Sequence, residues 1–339
     1  MTINRRHVLA GLAAAPMAAS LARPARAATT LKISHQFPGG SIEQGDFRDR
    51  ICRKFALEVD KRTNGGLKFE IYPNSSLMKT NAQFSALRKG ALDMSLYPMP
   101  YAGGEVHACN LGLMPALVTS YEQGVKWKTA KIGQTLTKIL DEKGIKIVSW
   151  VWQAGGVASR SKKVLMPEDV KGMKIRGGSR EMDLMFAAAG AQVSTMPSNE
   201  IYIGMQTGSL DAALTSSTSL ISFHLEELAK HLTAPRGRSF WFMLEPLMMS
   251  KAIFDGLPAD QQKAIVDVGV EMEAFGEAEA KKDDENVEKV YAAKGAEITP
   301  LTPEAIAAWR KVAEGSAWKD YAAKSKEAAE LLKLAQEVA

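Results

Sequence analysis

Two strands that flank a glycine-terminated helix form the feature of this chain that most restricts its fold. The strict alternation of Leu67–Tyr72 predicts a strand, and a helix over about Asn81–Lys89 ends at Gly90. Leu92–Tyr97 is the next predicted strand. Two strands joined by a crossover helix pair in parallel, so this segment predicts an α/β sheet with helices on its faces.

The same order of elements returns further along the chain. Met173–Arg176 is a predicted strand, Ser179 caps a helix that ends at Gly190, and Leu210–Thr215 is a later strand. We therefore expect an α/β, two-lobed, periplasmic-binding-protein-like fold, each lobe a mixed, mostly parallel sheet flanked by helices.

A long helical stretch over about 259–293 should reach across both lobes, because about 35 residues at 1.5 Å each span about 50 Å. The expected division gives residues 28–153 plus about 242–280 to lobe I. Residues 154–241 plus about 281–339 then form lobe II. Trp309 and Trp318 are the expected packing anchors of the C-terminal helices.

The first 27 residues are predicted to be an export signal, cleaved near Ala27/Ala28. They combine Arg5 and Arg6 with an Ala/Leu-rich stretch and a small-x-small site. The paired arginines resemble a twin-arginine (Tat) signal, and a Sec signal is the alternative. The expected location is the periplasm, and the apolar run is too short for a membrane anchor.

The charge of the chain belongs mainly to this segment. The whole sequence has a formal net charge of +5, but residues 1–27 hold four arginines and no acid, which leaves 39 basic against 38 acidic residues. A nucleic-acid partner would require a clustered basic face and is not expected.

Sequence motifs for catalysis, metals and cofactors are missing from the chain. The five histidines make no HExxH spacing, and there is no GxSxG, GxGxxG, P-loop or CxxC. We therefore expect no cofactor, no metal and no enzymatic activity. Cys52 and Cys109 could form a disulfide in an oxidising compartment or be two small buried side chains.

Arg176 is the main candidate for binding a ligand. It ends a predicted strand, where open α/β sheets bind ligands, and it precedes Gly177-Gly178-Ser179 and a helix N-terminus. A guanidinium matches a carboxylate through two parallel hydrogen bonds. The alternative role is a structural salt bridge to Glu200 or Asp211.

Three segments together resemble the DctP-type substrate-binding proteins of tripartite ATP-independent periplasmic (TRAP) transporters. They are Gly65–Pro73 with its continuation Leu87–Asp93, Pro167–Arg176, and Pro197–Tyr202 with its continuation Met205–Asp211. The resemblance implies a small organic acid as ligand and the TRAP permease membrane subunits as partners. It also implies that Arg176 binds the ligand carboxylate.

Further pocket residues are expected on the same basis. Thr215 and Ser216 open a hydroxyl-rich loop, which could instead be a plain surface loop, and Asn81 precedes the second helix. Phe37 lies just after a predicted strand and Tyr97 ends one, and both are candidates for the cleft.

One departure from the family pattern concerns the ligand. Many relatives with polar acid ligands have a second arginine where this chain has Gly156, and tryptophans such as Trp152 lie nearby. Trp241 belongs to another aromatic cluster, although core packing is the default role for such residues. We expect a ligand with one carboxylate and an apolar or aromatic body. A C4-dicarboxylate or a sugar acid is the alternative.

The function expected from the sequence is therefore clamshell closure on an organic acid, with hinges near Gln153–Gly156 and Phe240–Leu244. A ligand-sensing subunit for a receptor and an exported enzyme are the alternatives of a different class.

Overall fold

The computed structural model describes residues 28–338 of the chain. The predicted export signal, its Tat or Sec type and its cleavage site lie outside these residues. The strands, in chain order, are β1 (Thr29–Ser34), β2 (Leu67–Tyr72), β3 (Met94–Leu96), β4 (Ile145–Ser149), β5 (Trp152–Ser159), β6 (Lys174–Arg176), β7 (Gln192–Val193), β8 (Ala212–Ser216), β9 (His231–Ala234), β10 (Phe242–Leu244), β11 (Leu247–Ser250) and β12 (Glu297–Pro300).

The helices cover the faces of the sheets. They are α1 (Phe47–Arg62), α2 (Thr80–Arg88), α3 (Tyr121–Trp127), α4 (Lys131–Glu142), α5 (Arg180–Ala188), α6 (Ile201–Gln206), α7 (Ser217–Ser222), α8 (Lys251–Gly256), α9 (Ala259–Ala293), α10 (Pro303–Ala313), α11 (Lys319–Ala323) and α12 (Lys326–Gln336). Short 3₁₀ turns, among them Met99–Ala102, complete the connections.

The strands form two separate sheets, which confirms the predicted two-lobed α/β fold. The first has the order β2-β1-β3-β11-β4, and the second has the order β12-β9-β5-β8-β6-β7, with β10 added on β5. We call the parts of the chain built on them the first and the second lobe. Every antiparallel pair in either sheet involves β5 or β11, the strands that follow the crossings between lobes.

Two chain crossings lie side by side between the sheets. The chain leaves β4 for β5 and returns from β10 to β11, and β10 pairs with the start of β5, with Phe242 opposite Ala154. The amide of Glu245 donates to the carbonyl of Val151 at 2.8 Å, which ties the two crossings together. The predicted hinge residues lie on β5 and at β10, next to these crossings.

Helix α9 is 35 residues long and contacts strands of both sheets, as predicted. It approaches β4 closely at Gly269, where an added Cβ would lie 2.2 Å from the carbonyl oxygen of Val148. Glycine is needed here for space rather than for an unusual backbone conformation.

The C-terminal helices touch both lobes. Helix α10 packs on α5 of the second lobe, whereas α12 packs on α4 of the first. Trp309 and Trp318 are buried, and their indole N–H groups donate to the carbonyls of Leu165 and Pro115. Both tryptophans therefore anchor the C-terminal helices. The residue boundaries given above for the two lobes are a proposal.

The structure shows the state of the two cysteines and the start of helix α1. Cys52 and Cys109 are both buried and free. Helix α1 begins at Phe47, because the carboxylate of Asp46 accepts from the amide of Arg48 and caps the helix.

Candidate ligand-binding site

Arg176 lies at the end of β6 and is buried, with 1% of its surface exposed. Its Nε donates to the carbonyl of Met196 at 3.0 Å, and Nη1 donates to the carbonyl of Leu214 at 2.8 Å. Nη2 donates to the hydroxyl of Tyr101 at 2.7 Å. Tyr101 belongs to the first lobe, so this last bond joins the lobes.

The charge of Arg176 has no carboxylate within ion-pair distance among residues 28–338. Asp211, one of the two expected salt-bridge partners, instead accepts from the amide of Lys174 at 2.8 Å. Asp183 is near enough to feel the charge: burial raises the pKa of Asp183, and Arg176 is one of the groups that oppose that shift. A buried cation whose hydrogen-bond partners are all neutral oxygens is stabilised when an anion binds beside it.

The Gly-Gly-Ser turn after β6 holds this arrangement. Gly178 has φ of +98°, and an added Cβ would lie 2.7 Å from Nη1 of Arg176. Ser179 caps α5 by accepting from the amide of Met182 at 3.0 Å. The turn therefore brings bare backbone against the guanidinium.

A cavity of about 470 Å³ opens between the lobes in front of this turn. Tyr101, Gly178 and Met196 line it, so groups that contact Arg176 form part of its wall. Asn81 lines it from the first lobe. Its charged lining residues are both basic, namely Arg180 and Lys324.

Trp241 and Tyr97 lie close to the Arg176 region. The indole N–H of Trp241 donates to the carbonyl of Gly177 at 3.0 Å, next to Arg176. Tyr97 packs edge-on against Tyr101, with ring centroids 6.0 Å apart. Both aromatic candidates therefore reach Arg176 through one intermediate residue.

Trp152 belongs to a different cluster. Its ring packs edge-on against Trp127, with centroids 5.2 Å apart, and it covers Gly124. It lines a crevice between α3 and α9 with Trp150. Core packing therefore accounts for its position, and the structure does not bring it to Arg176.

Thr215 and Ser216 are buried at the end of β8, not on an exposed loop. Thr215 pairs with Gly156 across the sheet. The hydroxyl of Ser216 caps α7 and accepts from Nη1 of Arg48 at 3.4 Å. Phe37 is covered by the same guanidinium, whose Cζ lies 3.7 Å from the ring centroid.

The residues missed by sequence reasoning are Tyr101, Arg48 and Glu245. Tyr101 has no sequence signal beyond its position four residues after Tyr97. Arg48 does have a sequence signal. A cation in the first turn of a helix is unfavourable next to the helix dipole, so it needs a specific partner. Glu245 was recognisable as a lone acid in the apolar run Phe240–Met249.

Gly156, where a second arginine is expected from the family pattern, leaves no room for a side chain. An added Cβ would lie 2.4 Å from the carbonyl oxygen of Thr233. The loss of that cation is therefore built into the packing of β5 against β9.

A metal is not implied by the family, and the described residues offer one cluster of the right type. His224, Glu226 and Glu227 bring ligand atoms within 4.8 Å of one another on a surface turn, where exposed acids are common without an ion. In the part of the chain that the structure covers, we also find no helix with the length and apolar character needed to cross a membrane.

Comparison with known proteins places these features in a family. A model described as DctP, bacterial extracellular solute-binding protein, family 7, matches residues 44–325. A solute-binding protein of Albidiferax ferrireducens is 60% identical over 338 residues, which is 99% of each chain. The C4-dicarboxylate-binding periplasmic protein DctP of Rhodobacter capsulatus is 27% identical over 316 residues, or 91% of this chain and 92% of its own.

A solved structure shares the fold of this chain. It is the crystal structure of a TRAP periplasmic solute-binding protein from Rhodoferax ferrireducens with bound malonate, at 62% identity and a TM-score of 0.90. The match covers 91% of this chain and 98% of that chain. These relatives are solute-binding proteins, which confirms the prediction of binding without catalysis. The chain therefore belongs to the DctP-type bacterial extracellular solute-binding proteins, family 7, which serve TRAP transporters.

Proposed function

We propose that this protein binds a small organic acid between its lobes, pairs the acid's carboxylate with Arg176, and delivers the acid to TRAP permease subunits. The observation that carries the proposal is the buried guanidinium of Arg176, which has only neutral oxygens as hydrogen-bond partners among the described residues. A ligand carboxylate would supply the missing negative charge, and a charge-assisted bond of this kind contributes about 1.5–3 kcal/mol.

The cavity supports a ligand of modest size. Its volume of about 470 Å³ lies within the roughly 300–1,000 Å³ range of small-molecule sites. The two basic residues in its lining favour the approach of an anion.

Two observations bear on the identity of the acid, and they favour different ligands. The charge of Arg176, which has no acidic partner among residues 28–338, and the filled position at Gly156 favour a ligand with one carboxylate, whose body we expect to be apolar or aromatic. The malonate bound by the Rhodoferax ferrireducens relative favours a short dicarboxylate. We propose the monocarboxylate first and the dicarboxylate as the second candidate.

A thermal-shift screen of the chain from residue 28 onward separates these candidates. Benzoate and phenylpyruvate represent the first, malonate and succinate the second, and glucuronate the sugar acids. A ligand that binds only the folded state raises the melting temperature. At a ligand concentration of 100 times Kd, it adds about 2.7 kcal/mol to the free energy of unfolding. Each hit is then measured by calorimetry.

Variants of Arg176, with a variant of an arginine away from the cavity as control, test the carboxylate contact. Arg176→Ala and Arg176→Lys should each weaken binding of a hit tenfold or more, since about 1.4 kcal/mol corresponds to a factor of ten and a point charge cannot replace the fork. Arg62→Ala is the matched control, because Arg62 lies outside the cavity lining and is paired with Glu271 at 2.7 Å. Unchanged affinity in a folded Arg176→Ala variant would contradict the proposed role of Arg176.

A further inference from the structure

Arg48, in the first turn of α1, is a second fully buried arginine. It is held from below by Asp46, whose two carboxylate oxygens accept from Nε at 2.9 Å and from Nη2 at 2.6 Å. The ring of Phe37 covers the flat face of the guanidinium. Asp46, Phe37 and Arg48 all belong to the first lobe.

The remaining N–H groups of Arg48 point across to the second lobe. Nη1 donates to the hydroxyl of Ser219 at 2.9 Å and more weakly to that of Ser216 at 3.4 Å. Nη2 donates to the hydroxyl of Ser222 at 3.4 Å. The three serines cap or belong to α7, which follows β8 of the second sheet.

Arg48 also contacts the crossing between the lobes. Its Nη1 lies 3.4 Å from a carboxylate oxygen of Glu245, and the same oxygen accepts from the side-chain amide of Gln153. Gln153 lies on β5 and Glu245 lies between β10 and β11, so the two residues represent both chain crossings. The guanidinium therefore touches the first lobe, the second lobe and the hinge.

The charge of Arg48 is already matched, which separates it from Arg176. Asp46 and Glu245 are both within ion-pair distance of it. A ligand carboxylate placed at Arg48 would be repelled by the carboxylates of these two acids. Arg48 is therefore poorly suited to bind the ligand itself.

We propose that Arg48 is a positioning residue that holds the closed form of the protein and thereby slows ligand release without touching the ligand. This inference rests on the proposed function. When the lobes rotate apart, the bonds to Asp46 travel with α1, whereas the bonds to the α7 serines must break. Those serine bonds consequently contribute to the closed state and not to the open one.

The serine side of the contact gives the cleaner variant. Ser219→Ala removes the shortest interlobe bond, and Ser219→Ala with Ser222→Ala removes two, while Arg48 keeps Asp46 and Glu245. Arg48→Met is more disruptive because it leaves both acids without their cation. The double serine variant therefore tests the proposal even if Arg48→Met fails to fold.

Arg53→Met is the matched control on the same helix. Arg53 pairs with Asp49 at 2.6 Å within α1, so its loss does not affect a contact between the lobes.

Two measurements test the proposal. Stopped-flow release of malonate should be about tenfold faster in Arg48→Met and at least severalfold faster in the double serine variant, with little change in the association rate and none in Arg53→Met. Spin labels on the two lobes should report a larger open population in the same two variants. Release rates and label distances that both equal those of the wild type would overturn the proposal.

The outcome also separates this inference from the proposed function. If Arg176 variants bind normally, the carboxylate assignment fails, whatever Arg48 does. If malonate does not bind the wild type, the label distances decide: equal open populations in wild type and variants overturn the role of Arg48.

Discussion

The hydroxyl of Tyr101 accepts a hydrogen bond from Nη2 of Arg176 at 2.7 Å and a second from the amide of Ser198 at 3.1 Å. One oxygen of the first lobe thus satisfies two donors of the second lobe. The bond ties the guanidinium to a residue that lines the cavity. Contact between the lobes and the placement of Arg176 are therefore linked through a single side chain.

Tyr101→Phe should weaken ligand binding about tenfold, equivalent to about 1.4 kcal/mol. The variant keeps the ring against Tyr97 but leaves two buried donors without their acceptor, a loss that costs about 1–3 kcal/mol. Calorimetry with a hit from the acid screen measures the effect. Tyr202→Phe, which removes a surface hydroxyl bound to Glu227, should bind like the wild type. Equal affinity of the two variants would show that Tyr101 does not position Arg176.

The sequence predicted the fold well because its signals are local. Period-2 strands, glycines after helices and the Ser179 cap each depend on a few neighbouring residues, and each was found near its expected position. The place of Arg176 at a strand end was predictable for the same reason.

The composition of the site was harder to predict because it depends on contacts between distant residues. Tyr101 and Arg176 are 75 residues apart, and Arg48 and Ser219 are 171 apart. Alternation alone could not decide whether Trp152 faces a ligand or Trp127, since both sides of β5 are buried. Sequence spacing lists candidates of this kind, and only the packing of the two lobes selects among them.

The pH dependence of stability should reveal Asp284, a buried acid on α9. Burial raises the pKa of Asp284 to about 7 from its ordinary value of 3.8, although the hydroxyl of Tyr121 donates to it at 2.8 Å. The folded protein therefore holds this proton more tightly than the unfolded chain. The resulting stabilisation is complete below pH 3.8 and is lost as the pH rises through about 7.

Asp284→Asn should remove the loss of stability that ionisation of Asp284 causes as the pH rises. Relative to the wild type, the variant gains stability between pH 4 and pH 8 by at least about 1.4 kcal/mol, the equivalent of one pKa unit. Urea unfolding at several pH values gives the difference. Asp320→Asn provides a contrast of opposite sign, because the bond to Arg180 lowers the pKa of Asp320. A parallel pH profile for wild type and Asp284→Asn would contradict the assignment.

The two cysteines should behave as buried thiols. Burial is the main cause that raises the pKa of each thiol, so little reactive thiolate is present at neutral pH. A thiol reagent should titrate about two groups per chain in denaturant and almost none in the folded protein. A reducing agent should leave the melting temperature unchanged. A reductant-dependent fall of several degrees would indicate a disulfide instead.

Substitution of Gly178 offers the most direct test of how the turn serves Arg176. Gly178→Ala strains a backbone with φ of +98° and places a Cβ 2.7 Å from Nη1, so the guanidinium must move. Gly172 also has a positive φ, of +75°, but open space around it, and Gly172→Ala therefore carries backbone strain alone. Both variants should lose about 1 kcal/mol of stability. Only Gly178→Ala should lose tenfold or more in affinity for a carboxylate ligand, measured by calorimetry on the folded variants. Equal affinities would mean that the ligand does not depend on the position of Arg176.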